Sequence, residues 1–221
     1  MSALLQPQDF DPASARFTVH IAATDYALRA VVLPLLPALR QQAPNLRVAV
    51  RVLQQDQLAA QFERGEVDLA LLMPESVAPN LHSRRLFDER YICVLRSGHP
   101  DAHCEQISME RFCALDHALV SLVGDPFHGV TDRTLAELGH RRHVAVSLPS
   151  FLALLELLRN SDLISLLPEK LLEGVEGLTQ VEPPIAVPGF TKVAAWHERT
   201  HRDPGQAWVR QILFERFCDS D

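Results

Sequence analysis

Phe17, Val19, Ile21 and Ala23 alternate with Thr18, His20 and Ala22, and this period of two predicts a strand. Thr24 and Asp25 are small capping residues that open a helix over 26–42, although Pro34 and Pro37 fall inside it. Each proline removes an N–H and crowds the preceding turn, so a kink or an offset start is expected. After Ala43-Pro44-Asn45, Leu46, Val48, Val50 and Val52 alternate with Arg47, Ala49 and Arg51 as a second strand, whose end brings Gln54 and Gln55 beside the first corner. A short helix over 56–64 is stopped by Gly65. The mostly apolar run 67–72 follows, as suits a parallel strand covered on both faces. Strand, helix, strand, helix, strand with short links makes a doubly wound lobe, and its crevice edge carries Thr24, Gln54 and Met73.

Beyond Leu81 the grammar shifts. Leu86-Phe87 and the run 91–95 are extended, and Ser97-Gly98-His99-Pro100 is a turn, which marks a crossing into a second lobe. There, strands are expected over 118–123, 143–148 and 163–167. Helices are expected over 131–138 and 151–159, the second capped by Ser150 and facing a core with Phe151, Leu154, Leu155 and Leu158. A proline-rich stretch with Pro183, Pro184 and Pro188 leads to an extended run over 192–196, the return crossing. Asp203 and Pro204 then open a closing helix to Phe217. The fold class expected is α/β, two Rossmann-like lobes joined by two crossover strands. Residues 17–90 with 190–221 form lobe I and 91–189 lobe II.

The corner at Thr24, Asp25 and Tyr26 is the candidate binding element. At the carboxyl end of a buried strand, free N–H groups and the positive end of the helix dipole suit a carboxylate or phosphate.

Composition narrows the function. The formal charge is −7, and only Lys170 and Lys192 are lysines among 21 Lys and Arg residues, so no basic face for gripping DNA stands out. No apolar run reaches the ~18–20 residues that span a bilayer. The first residues, Met1 to Pro7, lack the basic and apolar regions of a secretory signal, so a cytoplasmic location is expected. Cys93, Cys104, Cys113 and Cys218 show no CxxC spacing and are expected to be reduced thiols.

Several stretches, in order along the chain, resemble the effector-binding domain of LysR-type transcriptional regulators, and in particular its aromatic-catabolism and nodulation branch. They include Phe10-Asp11-Pro12, Leu33-Pro34, Ala43-Pro44, Arg64-Gly65-Glu66-Val67-Asp68-Leu69-Ala70-Leu71 and Gly98-His99-Pro100. Pro149-Ser150-Phe151, Ser161-Asp162-Leu163-Ile164, Leu167-Pro168 and Trp196-His197-Glu198-Arg199 continue the likeness. The resemblance implies a type 2 periplasmic-binding-protein-like fold with residues 1–16 as the remnant of a linker and the amino-terminal winged helix-turn-helix absent from this chain. It further implies a non-enzymatic sensor without cofactor or metal, which binds a small aromatic or carboxylate effector between its lobes. Partners would be a second or further copy of the chain, and DNA only through the missing domain, with no membrane. The effector contacts it implies are Thr24, Asp25, Tyr26, Gln54, Gln55, His128, Pro149, Ser150, Phe151 and Trp196. One departure is the turn Asn160-Ser161-Asp162, where many members are Gly-rich.

Two rival readings come from elsewhere. A solute-binding protein of a transporter shares the architecture but needs export. His197-Glu198-Arg199-Thr200-His201 matches the HExxH pattern of zinc hydrolases, which requires a long helix to set both imidazoles on one metal. Here a strand-like run enters the motif and Arg202-Asp203-Pro204 starts a new element after it, so a solvated strand end and loop is expected. His99, His103 and Cys104 are denied helical spacing by Pro100. Cys104 and Cys113 stand at the separation of a redox pair in one branch of the family, but at a different place in the lobe, and are expected to be structural.

Overall fold

The computed structural model describes residues 10–122 and 124–218; the segment 1–7, expected to carry no secretory leader, lies outside them. The chain divides into two compact units, residues 1–87 with 191–221 and residues 88–190.

The first unit is built on a five-stranded sheet. β1 (Thr18–Ala23), β2 (Arg47–Val52) and β3 (Leu69–Leu72) run parallel. β4 (Leu81–Glu89) leaves this sheet for the second unit, where β5 (Tyr91–Arg96), β6 (Asp116–Val120), β7 (His143–Leu148), β8 (Ser165–Pro168) and β9 (Leu178–Val181) follow. β10 (Phe190–His197) returns, and the order across the first sheet is β2-β1-β3-β10-β4 with β10 antiparallel to β3. β1 is flanked on its two sides by β2 and β3, and only its first half keeps the alternation of buried and partly exposed positions. Val19, Ile21, Ala22 and Ala23 are all buried, and Leu58, Phe62 and Val67 pack with Ala22 and Leu72 of the sheet.

A continuous helical run follows β1 over 25–42. It starts with Asp25–Ala27, passes through a π-helical segment Leu28–Val32, and continues as the α-helix Leu33–Gln42. Of the expected kink or offset start, the structure shows the offset start: the α-helix proper begins at Leu33, with Pro34 in its first turn, after a change of hydrogen-bond register. Leu33 N–H reaches back five residues to the carbonyl of Leu28, one turn before the prolines. A wider turn leaves room for rings that an ideal α-turn would crowd, so the helix stays continuous.

In the second unit, β8-β5-β9 is antiparallel and β6-β7 is a parallel pair. A core of Cys93, Leu95, Ile107, Phe112, Leu135, Ile164 and Val181 fills it. The helix Phe151–Arg159 begins after β7 and buries Leu154, Leu155 and Leu158. The helix Val130–Glu137 ends at Gly139, whose positive φ suits a chain reversal that a residue with a Cβ resists. Gly189 has a different constraint: a Cβ there would stand 2.0 Å from the carbonyl oxygen of Glu89, so the backbone approach requires glycine.

Candidate functional site

The carboxyl ends of the three parallel strands of the first unit fall at one edge. Ala23 pairs with Val52, and Leu53 N–H donates to the Ala23 carbonyl, which brings Gln54 next to the corner. Thr24 is the helix cap: its backbone is extended (φ −72°, ψ 165°), and its hydroxyl accepts from the Ala27 N–H at 3.2 Å. Leu28 N–H closes the first turn on the Thr24 carbonyl. Thr24 and Asp25 are half-buried, whereas the Tyr26 ring is in the core at 3% exposure. Gln54 and Gln55 are exposed at the end of β2. The Gln54 side-chain oxygen accepts from Gln61, and the Gln55 amide donates to the Ser76 hydroxyl at 2.7 Å, tying the ends of β2 and β3 together.

The same edge holds a residue that the strand-by-strand reading passed over. Val193 pairs with Leu72, which sets Lys192 opposite Met73 at the edge where β1 ends in Thr24. Lys192 is 5% exposed, and its ammonium lies 5.5 Å above the Tyr26 ring. Burial pushes its pKa down to about 8, against the opposing pull of Glu75 from the turn Pro74–Ser76. A signal was present in the sequence: one of only two lysines opens the apolar run Val193-Ala194-Ala195-Trp196.

In the second unit, Ser150 caps the helix Phe151–Arg159 and accepts from the Ala153 N–H at 3.2 Å. Pro149 is exposed and Phe151 half-buried beside it. His128 is exposed, with Nδ1 2.9 Å from a carboxylate oxygen of Asp125. The Phe127 N–H and the nearby His128 hold Asp125 below the usual carboxylate range. The same unit holds a part-buried network. Arg142 donates through Nε and Nη2 to the two carboxylate oxygens of Asp132 at 2.8 Å, and Nη1 stands 3.2 Å from Nδ1 of His117. Asp132 also accepts from the Gly129 N–H. Burial raises the Asp132 carboxyl, but the Arg142 fork outweighs it and the net shift is downward. His117 is fully buried, Nε2 lies 2.8 Å from the Phe112 carbonyl, and burial plus Arg142 lower its pKa to about 4.

Trp196 stands elsewhere than at the crevice edge. β10 runs antiparallel to β3, so the register that sets Lys192 at that edge carries Trp196 back to the level of Leu69. There its indole N–H donates to Nδ1 of His201, and the Arg210 guanidinium lies 4.9 Å from its ring. Its 7% exposure makes it core.

The HExxH motif forms a one-turn helix, Glu198–His201, rather than the loop expected. Nδ1 of His197 accepts from Arg199 N–H and Nδ1 of His201 from Trp196, while Glu198 pairs with His82, whose ring stacks on His201 at 4.2 Å. The motif therefore braces one end of the sheet. Arg199 adds to this by reaching the buried Asp68, which also accepts from the His20 N–H. Among the described residues, no group of three or more His, Cys, Asp or Glu is placed to hold a metal ion. Cys104 and Cys113 are free, and Cys113 has Met109 as its sulfur neighbour.

Strand-to-helix corners at the carboxyl ends of parallel strands are where α/β folds bind their ligands. Residues 13–218 match the family model of the LysR substrate binding domain, and the chain belongs to that family. It is 33% identical over 223 residues to the HTH-type transcriptional activator NagR of Ralstonia sp, covering 99% of this chain and 73% of the relative. It is 30% identical to the HTH-type transcriptional activator NahR of Pseudomonas putida, with the same coverage. The crystal structure of the regulatory domain of MexT, a transcriptional activator in Pseudomonas aeruginosa, superposes with a TM-score of 0.76 at 25% identity, over 90% of this chain and 99% of that one. The chain is therefore the effector-binding part of a LysR-type transcriptional regulator, and a regulator rather than an enzyme. Regulators of this family bind small-molecule effectors and DNA, typically as oligomers. Among the described residues no helix is long and apolar enough to cross a membrane.

Proposed function

We propose that this chain senses a small aromatic carboxylate in the cytoplasm, with the Thr24 corner as the effector's anionic subsite. The observation that carries the reading is the convergence of three parallel strand ends on a hydroxyl-capped helical run, where backbone donors and the helix dipole favour an anion. Gln54 and Gln55 flank it with amides suited to ring substituents. In the second unit, Pro149, Ser150, Phe151 and His128 offer a second contact surface of apolar and hydrogen-bonding groups. Effector binding biases the conformational equilibrium through differential affinity, and the self-associated regulator passes that bias to its DNA-binding part.

The experiment is a thermal-shift screen against benzoate, salicylate, phenol, dicarboxylates and amino acids. A ligand at 100 times its Kd adds about 2.7 kcal/mol. Stabilisation by aromatic carboxylates, reduced in Thr24→Val, is the expected result. A response confined to amino acids or to neutral phenols would replace the ligand class, and an undiminished response in Thr24→Val would remove the corner from the site.

A further inference from the structure

Resting on the effector reading above, we propose that Gln61 is a positioning residue: it fixes the Gln54 amide so that a hydrogen-bond donor meets the effector's ring substituent, and the site selects for an acceptor there. The inference starts from a polar side chain on an apolar face. The helix Leu58–Glu63 buries Leu58, Gln61 and Phe62, which share one face by their spacing of three and four. Leu58 and Phe62 belong to an apolar cluster with Ala22, Val67, Ala70 and Leu72. Gln61 stands beside them at 8% exposure. Burying an amide costs free energy unless it is hydrogen-bonded, and leucine or methionine would fill this face without that cost.

The Gln61 amide has a definite destination. Its nitrogen donates at 3.2 Å to the side-chain oxygen of Gln54, which lies just past β2 at the crevice edge. Gln61 is itself held through its backbone: its N–H donates to the Gln57 carbonyl at 3.0 Å, and its carbonyl accepts from the Glu66 N–H at 2.9 Å. The Gln57 N–H in turn donates to the Gln54 carbonyl, so one short turn carries both partners of the side-chain bond. A buried, pinned donor thus orients an exposed side chain. With the Gln54 oxygen engaged, the end of that amide left for a ligand is its NH2, a donor. Gln55 is set the other way round, since its nitrogen is bonded to the Ser76 hydroxyl and its oxygen is the end left over. The edge therefore presents two amides of opposite polarity, and only the Gln54 end rewards an acceptor.

The test is titration calorimetry of the chain with acetylbenzoate and isopropylbenzoate, each as the ortho, meta and para isomer, with benzoate as reference. The two substituents are close in size and only acetyl carries an acceptor, so their affinity ratio reads the donor while a general loss of affinity cancels. The expected result is a preference for the acetyl compound of about 3- to 10-fold in at least one isomer pair, the net worth of a neutral hydrogen bond. Gln61→Met abolishes that preference, as does Gln61→Asn, which is one methylene too short to reach Gln54 and serves if the Met variant fails to fold. Gln54→Met abolishes it too, and adding Gln61→Met to Gln54→Met changes the ratio no further, because a positioning residue acts only through its partner. Benzoate binding with no acetyl preference in any isomer, or with every substituted isomer excluded, overturns the proposal and spares the effector reading. A preference that survives in folded Gln61→Met or Gln61→Asn, or in Gln54→Met, overturns the role of Gln61, as does a ratio that Gln61→Met alters in the Gln54→Met background. If none of the acids binds the natural chain, the aromatic-carboxylate reading falls and this proposal falls with it.

Discussion

The two units each present a strand-to-helix corner with a hydroxyl cap, but they hold it by different means. In the first, β1 is flanked by β2 and β3, Ile21, Ala22 and Ala23 are buried, and the corner is fixed by apolar packing on a five-stranded sheet. In the second, β7 pairs with β6 alone and leaves His143, Ala145 and Pro149 exposed. At the amino end of β6 and β7, away from the Ser150 corner, Arg142, Asp132 and the buried His117 form a part-buried network. Packing is indifferent to pH; a buried ionic network is not. The second unit thus carries, at the end of β6 and β7 away from its corner, a support that depends on charge, whereas the apolar packing around β1 does not.

The two largest predicted effects fall one on each side of that comparison. Arg142→Met leaves the half-buried Asp132 without its fork, and since loss of one partner of a fully buried pair costs about 3–5 kcal/mol, a loss of roughly 2–3 kcal/mol is expected; urea unfolding measures it. Phe62→Ala in the first unit costs ~3–5 kcal/mol through lost burial and a cavity. The distinction lies in pH: the Phe62→Ala loss is the same at pH 5 and 7.5, whereas the Arg142→Met loss changes between them. Equal pH profiles for the two variants would erase the comparison.

The next effect sharpens it through His117. Its folded pKa, about 4, is below the unfolded value near 6.5, so the unfolded chain binds the proton more readily. Stability is therefore full above pH 6.5 and declines as pH falls toward 4. Asp132, shifted downward, adds a further loss only below its unfolded value near 4. His117→Gln flattens the slope of unfolding free energy between pH 4 and 6.5, and an unchanged slope would assign the acid sensitivity to other groups.

The smallest effects are at the caps. Ser150→Ala and Thr24→Val each cost about 1 kcal/mol of stability through loss of a helix-capping oxygen. They separate in function: Thr24→Val weakens the response to carboxylates, while Ser150→Ala leaves the preference for carboxylates over neutral phenols intact. Matched losses of that preference would mean that both corners read the carboxylate.

Much of the architecture was legible from the chain alone because period and punctuation are local. The helix Phe151–Arg159 and the β7 strand His143–Leu148 have the bounds that alternation and the Ser150 cap indicated. Asp203 accepts from Gln206 N–H and opens the last helix, as its place before Pro204 implies. The role of Thr24 as a cap was equally readable, since capping depends on residues within one turn.

Other features depend on partners far away in sequence. Trp196 and Lys192 share one strand, and only the antiparallel pairing of β10 with β3 decides which of them reaches the crevice edge. The HExxH spacing is a local pattern, but its second imidazole, His201, is taken up by Trp196 and by stacking on His82, the latter more than a hundred residues away. The His117 titration comes from burial beside Arg142, which no short-range pattern encodes. The amino-acid sequence by itself determined where strands and helices start, stop and cap, because those depend on backbone geometry and neighbouring side chains. Tertiary structure alone decided the antiparallel return of β10, the burial of particular polar side chains and the meeting of distant charges, because these arise when segments far apart in the chain exclude water from one another.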